Sequence, residues 1–163
     1  MFFTSIRHVC HYMTGLIFKQ RHTPDGMLVV FRYWPVDMDL NMHLNNAAFF
    51  TVADMAICRW LPKSDIIPRE GFMRKYILIL KEQNISYQKS IQPFQQYEVL
   101  TNVSVQDDKW IIVKQEFRQF SNCGNGSLNK YASLERKFVV KEVAKSGLVD
   151  FSLKAWQEKN QQS

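Results

Sequence analysis

The chain has 163 residues, of which 46% are apolar and 13% aromatic, and it carries a formal net charge of +6. That length suits a single domain with its own core, and that apolar content excludes a disordered chain. The basic excess favours an anionic partner, but there is no Lys/Arg-rich run and no nucleic-acid motif, so no nucleic acid is expected as a partner.

Residues 1–20 open the chain with Phe2, Phe3, Ile6, Val9, Cys10, Met13, Leu16 and Ile17 at helical spacing, and Arg7, His8, His11 and Lys19 between them. This reads as an amphipathic helix, too polar for a signal-peptide core. Its apolar stripe has two uses open to it: packing on the domain or a second subunit, or lying on a membrane surface. No stretch approaches 18 uninterrupted apolar residues, so no segment is expected to span a bilayer. Cys10, Cys58 and Cys123 are odd in number and widely spaced, the usage of reduced thiols in a cytoplasmic protein.

A domain is expected over 21–150. Arg21 to Gly26 is a turn-rich link built on Pro24-Asp25-Gly26. Met27–Val36 reads as the first strand, ended at Pro35. Ala47–Leu61 is a helix with Phe49, Phe50, Ala53, Ala56, Ile57, Trp60 and Leu61 on one stripe; Val52, Met55 and Cys58 make its other face nearly as apolar. Such a helix must be covered on most sides, which a sheet wrapped around it achieves. Tyr76–Leu80 and Ile85–Ile91 read as one long strand with a polar interruption or bulge at Lys81–Asn84. Alternation then marks strands over Tyr97–Val105, Trp110–Phe120 and Asn129–Glu142, separated by turns at Asp107–Lys109 and around Asn125-Gly126. Phe151–Lys159 reads as a short terminal helix within a 151–163 tail. The expected class is α+β.

Between the first strand and the helix lies Asp37-Met38-Asp39-Leu40-Asn41-Met42-His43-Leu44-Asn45-Asn46. A strand-to-helix junction sets a carboxylate beside backbone N–H groups that no helical carbonyl can satisfy. A carboxylate next to donors aimed at a developing oxyanion is what acyl transfer requires.

The same string carries a resemblance. Asp37-x-Asp39, then His43-x-Asn45-Asn46, then Phe49-Phe50 at the head of an apolar helix, resembles the opening of a hot-dog-fold acyl-CoA thioesterase of the 4-hydroxybenzoyl-CoA thioesterase-like superfamily. The resemblance spans roughly 28–143 and implies an antiparallel sheet wrapped around one long central helix. It implies Asp39 as the catalytic carboxylate, either attacking the thioester or acting as general base toward water. The substrate-binding residues it implies are His43, Asn45, Asn46 and Ala47, with oxyanion donors among the helix-start amides, no metal and no cofactor. It further implies an acyl-CoA substrate and a homodimer or tetramer.

Each assignment has a plainer counterpart. Asp39 could be only a turn residue, His43 a hydrogen-bonded loop histidine, and Asn45 and Asn46 helix caps. Asp54, on the border of the helix stripe, is a rival carboxylate, since other hot-dog lineages carry their acid there. Coenzyme A phosphates need cations, for which Arg74, Lys75, Lys81, Lys89 and Lys109 are candidates. The competing function is a non-catalytic acyl- or lipid-binding protein held at a membrane surface by the N-terminal helix.

Overall fold

The computed structural model describes residues 21–23, 25–33, 38–39, 42–61, 75–120, 129–145 and 147–152. Among them lie seven strands and one α-helix: β1 Arg21–Thr23, β2 Gly26–Arg32, α1 Asn46–Trp60, β3 Tyr76–Tyr87, β4 Gln96–Gln106, β5 Trp110–Gln119, β6 Lys130–Ala144 and β7 Gly147–Asp150. The strands form one sheet in the order β1-β2-β4-β5-β6-β3, with β7 also pairing β6. Antiparallel pairing sets Met27 opposite Thr101 and Arg32 opposite Gln96. The expected helix over 1–20 and most of the one over 151–159 lie outside the described residues; Phe151 and Ser152 are not helical. No helix among the described residues is long and apolar enough to cross a membrane.

The chain divides into two compact units. The first holds β1, β2, α1 and the parts of β3 to β6 within 85–102 and 114–134. Its core follows the strand period: Met27, Val29 and Phe31 of β2 are buried, as are Tyr97 and Val99 of β4. They pack with Phe49, Val52, Ala53, Met55 and Ala56 of α1. After its first two residues the helix has no exposed position, as its all-round apolar character requires. Burying Phe49, Val52, Met55 and Ile57 contributes on the order of 6–12 kcal/mol before entropy is counted.

Two further contacts tie the helix to the sheet. Gln115 of β5, almost fully buried, donates from Nε2 to the Ala53 carbonyl at 3.0 Å and to Thr101 Oγ1 at 3.2 Å. A chain of aromatic rings runs Phe31–Tyr97–Phe117–Phe49–Tyr87, with centroids 6.0, 6.3, 5.0 and 5.3 Å apart. Offset and edge-to-face pairs of this kind are each worth about 0.5–1.5 kcal/mol beyond their burial. The chain ends on Tyr87, at the close of β3.

The second unit comprises 64–84, 103–113 and 135–163. Within it Tyr76 packs edge-on to Phe151 at 4.8 Å, and the guanidinium of buried Arg136 lies over the Phe138 ring. Lys109 and Lys137 flank the Trp110 ring, and Lys75 pairs with Glu142 at 3.4 Å.

Four elements differ from expectation. β3 runs unbroken through Lys81–Asn84, because those residues are exposed on a strand at the end of the sheet order and polar side chains cost nothing there. The link before β2 contains the short strand β1, and the C-terminal side adds β7; at three and four residues each is too short to show a period. The first strand closes at Arg32 rather than Val36.

Candidate active site

Past β2 the chain forms a small closed loop. Met38 and Leu44 make an isolated antiparallel bridge, and the Asp39 N–H donates to the His43 carbonyl at 3.0 Å. The Met42 N–H donates to the Asp39 carbonyl at 3.1 Å, and Met42 sits at φ 59°. This is the hydrogen-bond pattern of a hairpin whose last loop residue turns left-handed. The Asp39 side chain completes the closure: its Oδ1 accepts the His43 backbone N–H at 3.1 Å. One carboxylate oxygen is thereby fixed by the loop it belongs to, which orients the whole half-buried group.

Leu44, 4% exposed, anchors the far side of the loop in the core, and Asn45 follows as the N-cap of α1. The Asn45 Oδ1 accepts the Ala47 N–H at 2.8 Å, and its carbonyl accepts the Ala48 N–H at 2.8 Å. These two bonds use the second and third helix amides. The Asn46 N–H is the first of the helix and is taken by neither.

A cleft of about 360 Å³ opens over this junction. Asp39, His43, Leu44, Asn46 and Phe49 line one side, and Tyr87, Gln88, Lys89 and Ser90, at the close of β3, line the other. Of the residues expected at the site, the structure therefore brings together Asp39, His43 and Asn46. Asn45 acts as the helix cap, and the N–H of Ala47 is spent on that cap; neither residue lines the cleft. Asp54 is half-buried on α1, away from the cleft lining. Asp37 lies outside the described residues. Among the described residues, no three His, Cys, Asp or Glu side chains gather as a metal site.

Apart from Lys89, one of five candidate cations for the phosphates, the wall from Tyr87 to Ser90 was not legible in the sequence as part of a site. In a regular strand successive side chains alternate between faces, so four consecutive residues cannot line one cavity. Here the Gln88 and Lys89 N–H groups both donate to the Tyr131 carbonyl, at 2.8 and 3.1 Å. Two residues facing one is the mark of a β-bulge, which turns the strand and re-aims its side chains. The only sequence signal was the polar run Gln88-Lys89-Ser90 breaking the alternation after Tyr87. Partial desolvation pushes the Tyr87 phenol up from its ordinary value, and its ring meets Phe49 edge-on at 5.3 Å.

The fold has many solved counterparts. The 4-hydroxybenzoyl-CoA thioesterase from Pseudomonas sp. strain CBS-3 superposes with a TM-score of 0.66 at 12% identity, covering 81% of this chain and 96% of that one. The 1,4-dihydroxy-2-naphthoyl-CoA thioesterase from Synechocystis gives 0.63 at 13% identity, covering 80% and 91%. The probable thioesterase YbaW from Escherichia coli gives 0.64 at 14% identity, covering 83% and 96%. At such identities the likeness is one of fold, the hot-dog fold expected above. A comparison with curated protein sequences gives no significant match. Residues 33–156 match the family model described as the thioesterase-like superfamily, and the chain belongs to that family.

Proposed function

We propose that this protein hydrolyses an acyl-CoA thioester to the free acid and coenzyme A, with Asp39 as the working carboxylate. The observation that carries the reading is the single cleft lined by Asp39, His43 and Asn46 at the start of α1. Membership of the thioesterase-like superfamily and structural likeness to thioesterases of two aryl-CoA substrates support the same reaction class.

In this reading the thioester carbonyl carbon lies against Asp39, whose carboxylate attacks it or takes the proton of an attacking water. Both routes need the placement that the His43 N–H gives to the carboxylate. As the carbonyl oxygen gains negative charge, the Asn46 N–H and the positive end of the α1 dipole stabilise it. With the Ala47 and Ala48 amides held by Asn45, the first helix amide carries this role. In the base route the C–S bond then breaks, and the proton taken from the attacking water returns the departing thiolate to the thiol; in the attack route C–S cleavage leaves a mixed anhydride on Asp39, which a water hydrolyses to the free acid while its proton goes to the thiolate. His43, which lines the same cleft, passes that proton in this reading. Phe49 and Tyr87 form an aromatic edge against which the acyl group packs.

A homodimer belongs to the same proposal. β3 stands at the end of the sheet order, twelve residues long, with Leu80 and Tyr87 each at least 40% exposed. An edge of that length invites pairing with a second copy, which would bring the partner beside Tyr87–Ser90. Release of free thiol from a panel of short, aromatic and long-chain acyl-CoAs tests the reaction: turnover with at least one is expected, and binding without turnover of any would overturn it. Sedimentation equilibrium tests the dimer.

A further inference from the structure

The polar wall of the cleft contains a cation that hydrolysis does not require. Among the described residues, Lys89 is the one lysine or arginine that lines the cleft with Asp39. Its Nζ donates to Asn129 Oδ1 at 2.6 Å. Asn129 is itself oriented, donating from Nδ2 to Gln119 Oε1 at 2.8 Å and accepting the Gln119 N–H on its carbonyl at 2.8 Å. The ammonium is thus steadied by neutral amides and keeps two further donors. Lys75, Arg118 and Lys130 are each neutralised by a glutamate, whereas no carboxylate pairs with Lys89 among the described residues. The bulge at Gln88–Lys89, just past the end of β3, is where Lys89 joins the cleft lining.

Reach decides which part of the substrate meets it. Thirteen bonds separate the sulfur of coenzyme A from its diphosphate, roughly 15 Å when extended at the spacing of a polypeptide backbone. A cleft of 360 Å³ is only about 9 Å across if drawn as a sphere. With the thioester at Asp39 and the arm extended, the diphosphate lies beyond the cleft, which leaves Lys89 to the part of the substrate near the thioester. Resting on the reading of this site as a thioesterase, we propose that Lys89 sets specificity by receiving a carboxylate at the far end of a short acyl chain. The preferred substrates are then coenzyme A monothioesters of dicarboxylic acids with roughly four to six carbons, the length that spans such a cleft. A charge-assisted pair here also offsets the repulsion between that carboxylate and Asp39.

The test compares glutaryl-CoA with its neutral counterpart pentanoyl-CoA, and each with its N-acetylcysteamine thioester, which carries no phosphate. The variants are Lys89→Met, which keeps the stem without the charge, and Lys89→Arg. Wild-type protein should favour the glutaryl thioester in kcat/KM in both series, and Lys89→Met should lower that value about ten- to a hundredfold. The pentanoyl thioester should be unchanged, and Lys89→Arg should retain most of the preference. A loss shared by glutaryl- and pentanoyl-CoA but absent from the N-acetylcysteamine series would assign Lys89 to the phosphates and overturn the proposal. An equal loss in all four, or none, would overturn it as well. Calorimetric binding of the unhydrolysable thioethers S-(4-carboxybutyl)-CoA and S-pentyl-CoA separates the two readings. If nothing is turned over yet the carboxylated thioether binds tighter and Lys89→Met erases the difference, hydrolysis fails while Lys89 keeps its assignment. Equal binding of the two thioethers overturns the assignment.

Discussion

Gly26→Ala is expected to cost far more stability than Gly147→Ala, although both glycines adopt positive φ. Gly26 opens β2 at φ +138°, and a Cβ added there would lie 2.4 Å from the Thr101 carbonyl oxygen. Real Cβ atoms essentially never come within 3.0 Å of a neighbour, so the backbone must move by about 0.6 Å (3.0 − 2.4). The obstacle is main chain of β4, which cannot swing aside as a side-chain tip can, and Thr101 is held by Gln115. Gly147 sits at φ +118° with nothing within 4 Å of its added Cβ. Its substitution carries only the strain of an unfavourable backbone region, about 1–3 kcal/mol. Gly26→Ala carries the same strain and weakens one or two ladder hydrogen bonds at about 1 kcal/mol each, giving about 2–5 kcal/mol in total, about 1–2 kcal/mol more than Gly147→Ala. With a urea m-value of about 2 kcal/mol/M, its unfolding midpoint should fall by about 1–2.5 M, and by about 0.5–1 M more than that of Gly147→Ala. Equal shifts for the two variants would refute the close approach of β2 and β4 on which the reasoning rests.

Asn45→Ala removes the acceptor of the Ala47 N–H and should destabilise the protein by about 1 kcal/mol in the same unfolding assay, with Asn45→Asp recovering most of it. Met42→Gly should stabilise by about 0.5–1 kcal/mol, because the residue at φ 59° is 62% exposed and glycine adopts that region without the Cβ clash. Burial raises the phenols of Tyr87 and Tyr131 above the ordinary value of 10.0, so the folded state holds protons that the unfolded chain has lost. That contribution is complete below pH 10 and is lost as pH climbs through the raised values; midpoints measured from pH 9 upward should fall, and less steeply in the Tyr87→Phe/Tyr131→Phe double variant.

Local signals made most of the fold readable. The Asn45 cap followed by a run apolar on every side placed α1 to within one residue at each end, and an alternation broken at Leu100 placed β4. What failed was any feature whose cause lies in another strand. Lys81–Asn84 looked like an interruption because sequence does not say that β3 ends the sheet order, where polar residues face water on an edge. The near wall of the cleft was legible because Asp39, His43 and Asn46 fall within eight residues of one junction. The far wall arises from two amides of 88 and 89 sharing the carbonyl of Tyr131, more than forty residues on, and no local pattern encodes that.

Hydrolysis is ascribed to the Asp39 carboxylate, and its isosteric replacement tests this most directly. Asp39→Asn keeps an oxygen that can accept the His43 N–H but removes the charge, so the loop should hold its shape and the affinity for coenzyme A should persist. The measured quantity is kcat on the best acyl-CoA of the panel, with coenzyme A binding as the control for folding. A fall of about a hundred- to ten-thousandfold in kcat with binding intact is the expected result. A variant that binds coenzyme A and turns over at the wild-type rate would contradict the assignment.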